Sequence, residues 1–379
     1  MKILFATNIF PHPEGHQDGI FLYWRAKELI KKGHTVSVLM WNQEHHMYKN
    51  KMYNLQDLNN PILNEDIDVI PMHTYHIYNP IFRYKMYKKI KKNFDLVHFH
   101  WLWSMTLFSN IKKWNIPFII TCHGSDIYRM AESCNQTKLG RWINKKVMKY
   151  QMKRLDSANH TIFVSEDIKK TAQKKGSKTK YHSVIPNGYN KIFNTKNIKK
   201  NKDIIIGFVG NLIELKRADK IIDIFNHIIT KTPIKQCIVI GQGHLLKPMK
   251  QQCLDYKIEK KVLFTGNIPA KQVAKYMKQM TVLILPSRQE AFGCVIKEAQ
   301  ACGTPVVGSN NGGIPAVIGR GGTIVAEGEN FEERFANAVI NLIKNPIDSS
   351  ILDEETKEFT WENTVDKELK IYKSILSNN

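Results

Sequence analysis

The stretch 282–305, V-L-I-L-P-S-R-Q-E-A-F-G-C-V-I-K-E-A-Q-A-C-G-T-P, limits what this chain can fold into more than any other segment. Its continuous apolar start, stopped by Pro286, is the pattern of a parallel strand buried on both faces. A helical pattern follows from Ala291 to about Ala301 and is closed by Gly303 and Pro305. Glycine takes the left-handed cap there, and proline cannot continue the ladder. Strand, short polar loop and helix form the repeating unit of an α/β protein, and ligands of such proteins bind where the strands end. Two carboxylates, Glu290 and Glu298, fall at that junction. The helix start directs free N–H groups and the positive end of its dipole into the space above the sheet, which suits a phosphate. Glu298, just over a turn inside, is placed to accept hydrogen bonds from vicinal hydroxyls, and Gly293 lets a ligand approach the backbone.

A chain of 379 residues exceeds the size at which one core keeps growing, so two domains are expected. Residues 2–7 read as a strand, 20–32 as a helix stopped by Gly33, and 35–40 as the next strand, a βαβ unit with parallel strands. A second such start, I-I-I-G-F-V-G, comes at 204–210. Between them lies the Lys- and Asn-rich segment 191–203, read as the linker. The first domain is therefore taken as 1–190 and the second as 204–358. No apolar run approaches 18 residues, and the N-terminus is too quickly broken by Asn8 and Pro11 for a signal peptide, so a cytoplasmic protein is expected. Six cysteines, Cys122, Cys134, Cys237, Cys253, Cys294 and Cys302, lack C-x2-C or His-paired spacing, which argues for reduced thiols and against a zinc site. His98 and His100 share one face of a strand, yet no third ligand has metal-site spacing.

Charge divides the chain unevenly. Residues 1–200 carry 33 Lys and Arg against 14 Asp and Glu, whereas residues 201–379 carry 23 against 20. Three segments, 83–92, 138–154 and 169–180, hold most of the excess. The first sets Phe82, Met86, Ile90 and Phe94 four apart with lysines opposite. Such a helix either packs its apolar stripe on its own sheet or lies on an anionic membrane surface. Nucleic acid is the other partner a basic surface suggests, but no helix-turn-helix, finger or RNP-like signature is present, so none is expected.

With these residues in view, the stretch 286–315 resembles the Glu-x7-Glu motif of retaining, nucleotide-sugar-dependent glycosyltransferases, in particular family 4 (glycosyl transferases group 1). The resemblance implies the GT-B fold: α/β, two Rossmann-like domains with parallel sheets facing each other across a cleft, and a C-terminal helix, 359–379, crossing back to the first domain. It implies that Glu298 holds the ribose, that Glu290 contacts the sugar, and that Phe292, Gly293 and Cys294 supply amides to the sugar and diphosphate. His123, in H-G-S-D, would face the donor sugar near its reacting carbon and act in catalysis with Glu290. Gly19 matches the glycine of the family's first loop, with His16, Asp18, His100 and Asp126 as candidate acceptor or cleft residues. Lys216 matches a diphosphate-gripping lysine. Asn211 stands where a basic residue is common, and Arg217 stands where a glycine is usual and supplies a second cation nearby. Asn267 and Ile268 match a turn that touches the base. Ala316 occupies a place often held by glutamate.

The implied reaction moves a sugar from a nucleoside-diphosphate sugar to an acceptor hydroxyl with retention, with no metal and no other cofactor. The basic first half suggests a lipid-linked or cell-envelope or capsular glycan acceptor and peripheral contact with an anionic membrane. Three other readings are a sugar-nucleotide epimerase of the same fold, a glycogen- or sucrose-type synthase that shares the motif but fits the basic first half less well, and a non-enzymatic basic binding module.

Overall fold

The computed structural model describes residues 1–11, 19–42, 52–58, 63–73, 80–107, 115–128, 138–196 and 203–377. They form two units, residues 1–188 with 361–379, and residues 189–360.

The first unit is built on eight strands: β1 (Lys2–Thr7), β2 (Thr35–Asn42), β3 (Tyr53–Asn54), β4 (Asp68–His73), β5 (Leu96–His100), β6 (Phe118–Cys122), β7 (His160–Phe163) and β8 (His182–Val184). Their order is β3-β4-β2-β1-β5-β6-β7-β8, and only the β3–β4 pair is antiparallel. The helices of its main segment are α1 (Ile20–Lys31), α2 (Pro80–Asn93), α3 (Ser125–Tyr128), α4 (Lys138–Leu155) and α5 (Glu166–Lys174). Ser165 caps α5 by accepting from the Ile168 N–H at 3.3 Å, an orphan donor satisfied as its sequence position predicts. The connection from β1 to β2 runs one way along the sheet; those from β4 to β5 and from β6 to β7 run the other. Right-handed crossovers therefore put α1 on one face and α2 and α4 on the opposite face.

The second unit has six parallel strands: β9 (Ile205–Val209), β10 (Gln236–Ile240), β11 (Val262–Gly266), β12 (Val282–Leu285), β13 (Val306–Ser309) and β14 (Gly322–Val325). They are ordered β11-β10-β9-β12-β13-β14. The direction of winding reverses between β9 and β12, so a crevice opens at their carboxyl ends. Flanking helices are α6 (Ile221–Lys231), α7 (Leu246–Asp255), α8 (Ala270–Gln279), α9 (Cys294–Ala301), α10 (Ile314–Ile318), α11 (Phe331–Lys344) and α12 (Ser349–Lys357). β12 is buried along its whole length, as its unbroken V-L-I-L requires. The G-Q-G turn after β10 is glycine for a steric reason. A Cβ on Gly241 would stand 2.0 Å from the Gly210 carbonyl oxygen, and one on Gly243 2.2 Å from that of Leu212.

The last helix, α13 (Trp361–Ser377), belongs to the first unit, where it packs on α1. The chain thus leaves that unit after Gly188 and re-enters it at Trp361. Within the second unit the two crossing segments are tied together: the Tyr189 N–H donates to the Phe359 carbonyl at 2.8 Å.

Candidate functional site

In the second unit the residues singled out from the sequence gather at one edge of the sheet. Asn211 and Lys216 lie on the loop after β9, Asn267 and Ile268 on the turn after β11, and Glu290, Phe292 and Gly293 on the loop after β12. Cys294 and Glu298 lie on α9. Because the strands are parallel, all of these sit at carboxyl ends, around the point where winding reverses.

The β9 and β12 loops are joined at both backbone and side-chain level. The Arg288 N–H donates to the Leu215 carbonyl at 2.9 Å, and its guanidinium grips Asp219 through both oxygens at 2.6 and 2.7 Å. That clamp brings the Lys216 ammonium into an ion pair with Glu290. Arg217 has a different fate. It takes the left-handed conformation at φ +55°, which glycine adopts at no steric cost, and its guanidinium is committed to Glu327 at 2.6 and 2.8 Å and to the Phe331 ring at 3.9 Å. The cation of this loop that meets Glu290 is Lys216.

Gly293 precedes α9 at φ +78°, so the chain turns sharply after Glu290, and the helix begins with N–H groups that have no partner within it. The Phe292 side chain is buried, its ring 5.9 Å from that of Phe359. The loop is also held from below. The Gly313 N–H donates to the Glu290 carbonyl at 2.8 Å, and a Cβ at Gly313 would come within 2.2 Å of the Ala291 oxygen. The Gly312-Gly313 pair is therefore part of the machinery that sets Glu290.

Glu298 carries the clearest electrostatic signal. Burial raises its carboxyl from the ordinary range to about 7, and no hydrogen bond or ion pair reaches that carboxylate among the described residues. Glu298 is half-buried, not sealed off, so its partly desolvated carboxylate is open to a ligand that brings hydroxyls. Its neighbour Lys297 is buried and differently used: it donates to Gln300 at 2.9 Å, pairs with Glu355 at 3.5 Å and lies 4.4 Å over the Phe359 ring. Burial lowers its ammonium to about 8.

The first unit presents its own carboxyl-end cluster. Gly19 opens α1 at φ +63°, and a Cβ there would stand 2.8 Å from the Ile9 oxygen, so both backbone angle and close packing demand glycine. His100 ends β5, and its Nδ1 lies 3.1 Å from Nε2 of His123, just beyond β6. Phe21 and Trp101 pack on the His123 ring at 5.1 and 4.6 Å. Burial lowers both imidazoles well below their ordinary range, and the charge of Arg25 adds to it. They are neutral, and one donates to the other. His98, by contrast, is a core residue. Its ring nitrogens are taken by the Tyr372 hydroxyl of α13 and the Thr121 hydroxyl, each at 2.7 Å.

Asp126 is buried with its oxygens accepting from the N–H groups of Leu102 at 2.8 Å and Gly124 at 3.0 Å. Burial raises it to about 6. This carboxylate fastens the His123–Gly124 turn to the segment after β5. His16 and Asp18 lie outside the described residues, as does Cys134. Sequence reasoning missed two further groups. Trp101, non-glycine at φ +67°, holds a strained conformation of the kind found at functional sites. Arg25 of α1 is fully buried and bonded to Glu368 at 3.2 Å and Asn187 at 3.0 Å; no local spacing relates these three positions. Among the described residues no three His, Cys, Asp or Glu side chains form a metal-holding group.

With this geometry established, comparison with known proteins is informative. A family model described as "Glycosyl transferases group 1" matches residues 190–359, and one described as "Glycosyltransferase Family 4" matches residues 21–191. The phosphatidylinositol N-acetylglucosaminyltransferase gpi3 subunit of Schizosaccharomyces pombe is 26% identical, over 98% of this chain and 80% of its own. Among solved structures, sucrose-phosphate synthase from Thermosynechococcus elongatus superposes with a TM-score of 0.77 at 18% identity, covering 100% of this chain and 99% of that one. HepE from Anabaena in complex with UDP-glucose gives 0.73 at 17% identity, covering 99% and 100%.

Proposed function

Since the chain belongs to the family 4, group 1 glycosyltransferases and has their two Rossmann-like domains, we propose that it transfers a sugar from a nucleoside-diphosphate sugar to a lipid-linked or envelope-glycan hydroxyl, with retention and without a metal. The observation that carries this reading is the arrangement at the carboxyl ends of β9 and β12: Lys216 against Glu290, the start of α9 after them, and a half-buried Glu298 one turn on, whose carboxyl is raised by burial to about 7.

Each part has a chemical task. Glu298 accepts hydrogen bonds from the ribose diol. Lys216 and the first N–H groups of α9 hold the diphosphate and stabilise the charge that develops on it as the bond from the anomeric carbon to phosphate oxygen breaks. The acceptor oxygen bonds to the same face of that carbon, and its proton passes to the departing phosphate oxygen. Glu290 orients the sugar and keeps Lys216 in place. His123, neutral and set by His100 and Asp126, is the candidate polar group of the first unit itself. HepE was solved with UDP-glucose, which favours a UDP-sugar, and the S. pombe relative is named for phosphatidylinositol, which favours a lipid acceptor.

The decisive experiment screens nucleoside-diphosphate sugars for protection against thermal unfolding, then follows the protecting donor with acceptor by NMR, with and without chelator. Transfer that preserves the anomeric configuration and survives chelation is expected. Epimerised donor in the absence of acceptor would transfer the assignment to an epimerase.

A further inference from the structure

The apolar stripe of α2 does not supply a free surface. Ile90 is 4% exposed and Met86 and Phe94 are half-buried, so these three turn inward, while Ile81 and Tyr84 near the start of the helix are exposed. α4 is built differently. Its inward side is formed by Asn144, Met152 and Leu155, all buried. Ile143, Val147 and Tyr150, spaced i, i+4, i+7, form an outer stripe that is 42, 45 and 55% exposed, and Trp142 beside it is 58% exposed. Lys146, Lys149 and Lys153, spaced i, i+3, i+7, make a parallel basic stripe. The Lys146 ammonium lies 5.3 Å from the Trp142 ring, so the two stripes meet at that residue. Across its 18 residues α4 carries seven Lys and Arg and no acid. α2, which right-handed winding places on the same face of the sheet, carries six and no acid.

We propose that α4 is a membrane-docking helix: Trp142, Ile143, Val147 and Tyr150 enter the headgroup region of an anionic bilayer while the lysine stripe pairs with its phosphates. Charge selects this occupant. A second copy of the chain would bring the same uncompensated lysines against these, and a nucleic acid would engage the lysines while leaving the aliphatic stripe in water. An anionic lipid surface satisfies both stripes at once. The proposal rests on the lipid-linked acceptor reading for its purpose, and gives that reading a surface.

The test is co-sedimentation of the full chain, without donor, on vesicles of phosphatidylcholine alone or mixed with phosphatidylglycerol, with tryptophan quenching by brominated acyl chains. Binding to the mixed vesicles only is expected, with quenching that falls in W142F although binding persists. K146E/K149E/K153E should lose roughly a hundredfold in vesicle affinity, from about tenfold or less per basic residue near the surface. I143S/V147S should leave only binding that salt abolishes. All these side chains are exposed, and unchanged thermal unfolding of each variant verifies the fold. The proposal is overturned by no binding to anionic vesicles, by binding indifferent to the α4 variants, by a dimer that I143S/V147S dissolves, or by tighter binding to an oligonucleotide than to vesicles. Vesicle binding in a protein that transfers no sugar would leave the surface standing and remove only the enzymatic reading.

Discussion

The two units share an architecture and use it differently. In the second unit the site is made by loops held through backbone contacts: Arg288 N–H on Leu215, Gly313 N–H on Glu290, and glycines at 241 and 243 where two turns touch. Its candidate side chains, Lys216, Glu290 and Glu298, lie on that frame. In the first unit the candidate site rests on buried polar side chains. His123 leans on His100, while His98, Arg25, Glu368 and Tyr372 form the layer behind it. The second arrangement lets a site residue change without disturbing the fold. The first makes site and stability one structure.

That contrast can be broken most severely at Arg25. Replacing it by methionine leaves Glu368 buried without the cation that offsets its desolvation, so R25M should lower stability by about 3 to 5 kcal/mol, read from denaturant unfolding. A loss below about 1 kcal/mol would show that the polar layer does not hold the first unit together. Lys216→Ala should do the opposite: turnover falls by about a hundredfold or more, as for loss of a donor to developing charge, with the unfolding midpoint nearly unmoved. Glu290→Ala is expected to depress turnover more than donor affinity, which steady-state kinetics beside equilibrium donor binding would separate.

The next effect is a pH dependence. Glu298 titrates near 7 because burial disfavours its charge. A bound diol favours the carboxylate, so donor binding releases a proton below that value. Donor affinity should therefore rise about tenfold from pH 6 to pH 8 and then level, and E298Q should be weaker and flat. An unchanged slope in E298Q would place the titration elsewhere.

The smallest effect concerns Lys297. Its folded value, about 8, lies below that of a free lysine, so the unfolded chain binds more protons between about pH 8 and 10.5 and stability rises with pH across that window. K297M should abolish this rise while changing neutral-pH stability by roughly 1 kcal/mol or less, since Glu355 keeps Arg320 at 3.1 Å.

Much of the second unit's candidate site could be read along the chain. Strand, loop and helix at 282–305 were evident from an apolar run, a proline and a glycine stop. Glu290 and Glu298 fell at a strand end because parallel strands deliver their loops to one edge. The cation beside Lys216 was less legible. Arg217 is near in sequence, but its left-handed backbone turns it to Glu327 and Phe331. In the first unit, Asp126 looked like a cleft acid and is a backbone clamp, because two N–H groups from separate turns converge on it.

By itself the amino-acid sequence determined the α/β class, the two units, the family and the position of Glu290 and Glu298 after a parallel strand. Each of these is local: periodicity, turn residues and one short motif carry them. Only the tertiary structure decided which of two basic helices hides its apolar stripe, that His98 is core while His100 meets His123, and that Arg25 is buried against Glu368. Those outcomes depend on groups tens to hundreds of residues apart competing for the same buried space, and no spacing along the chain records who wins that competition.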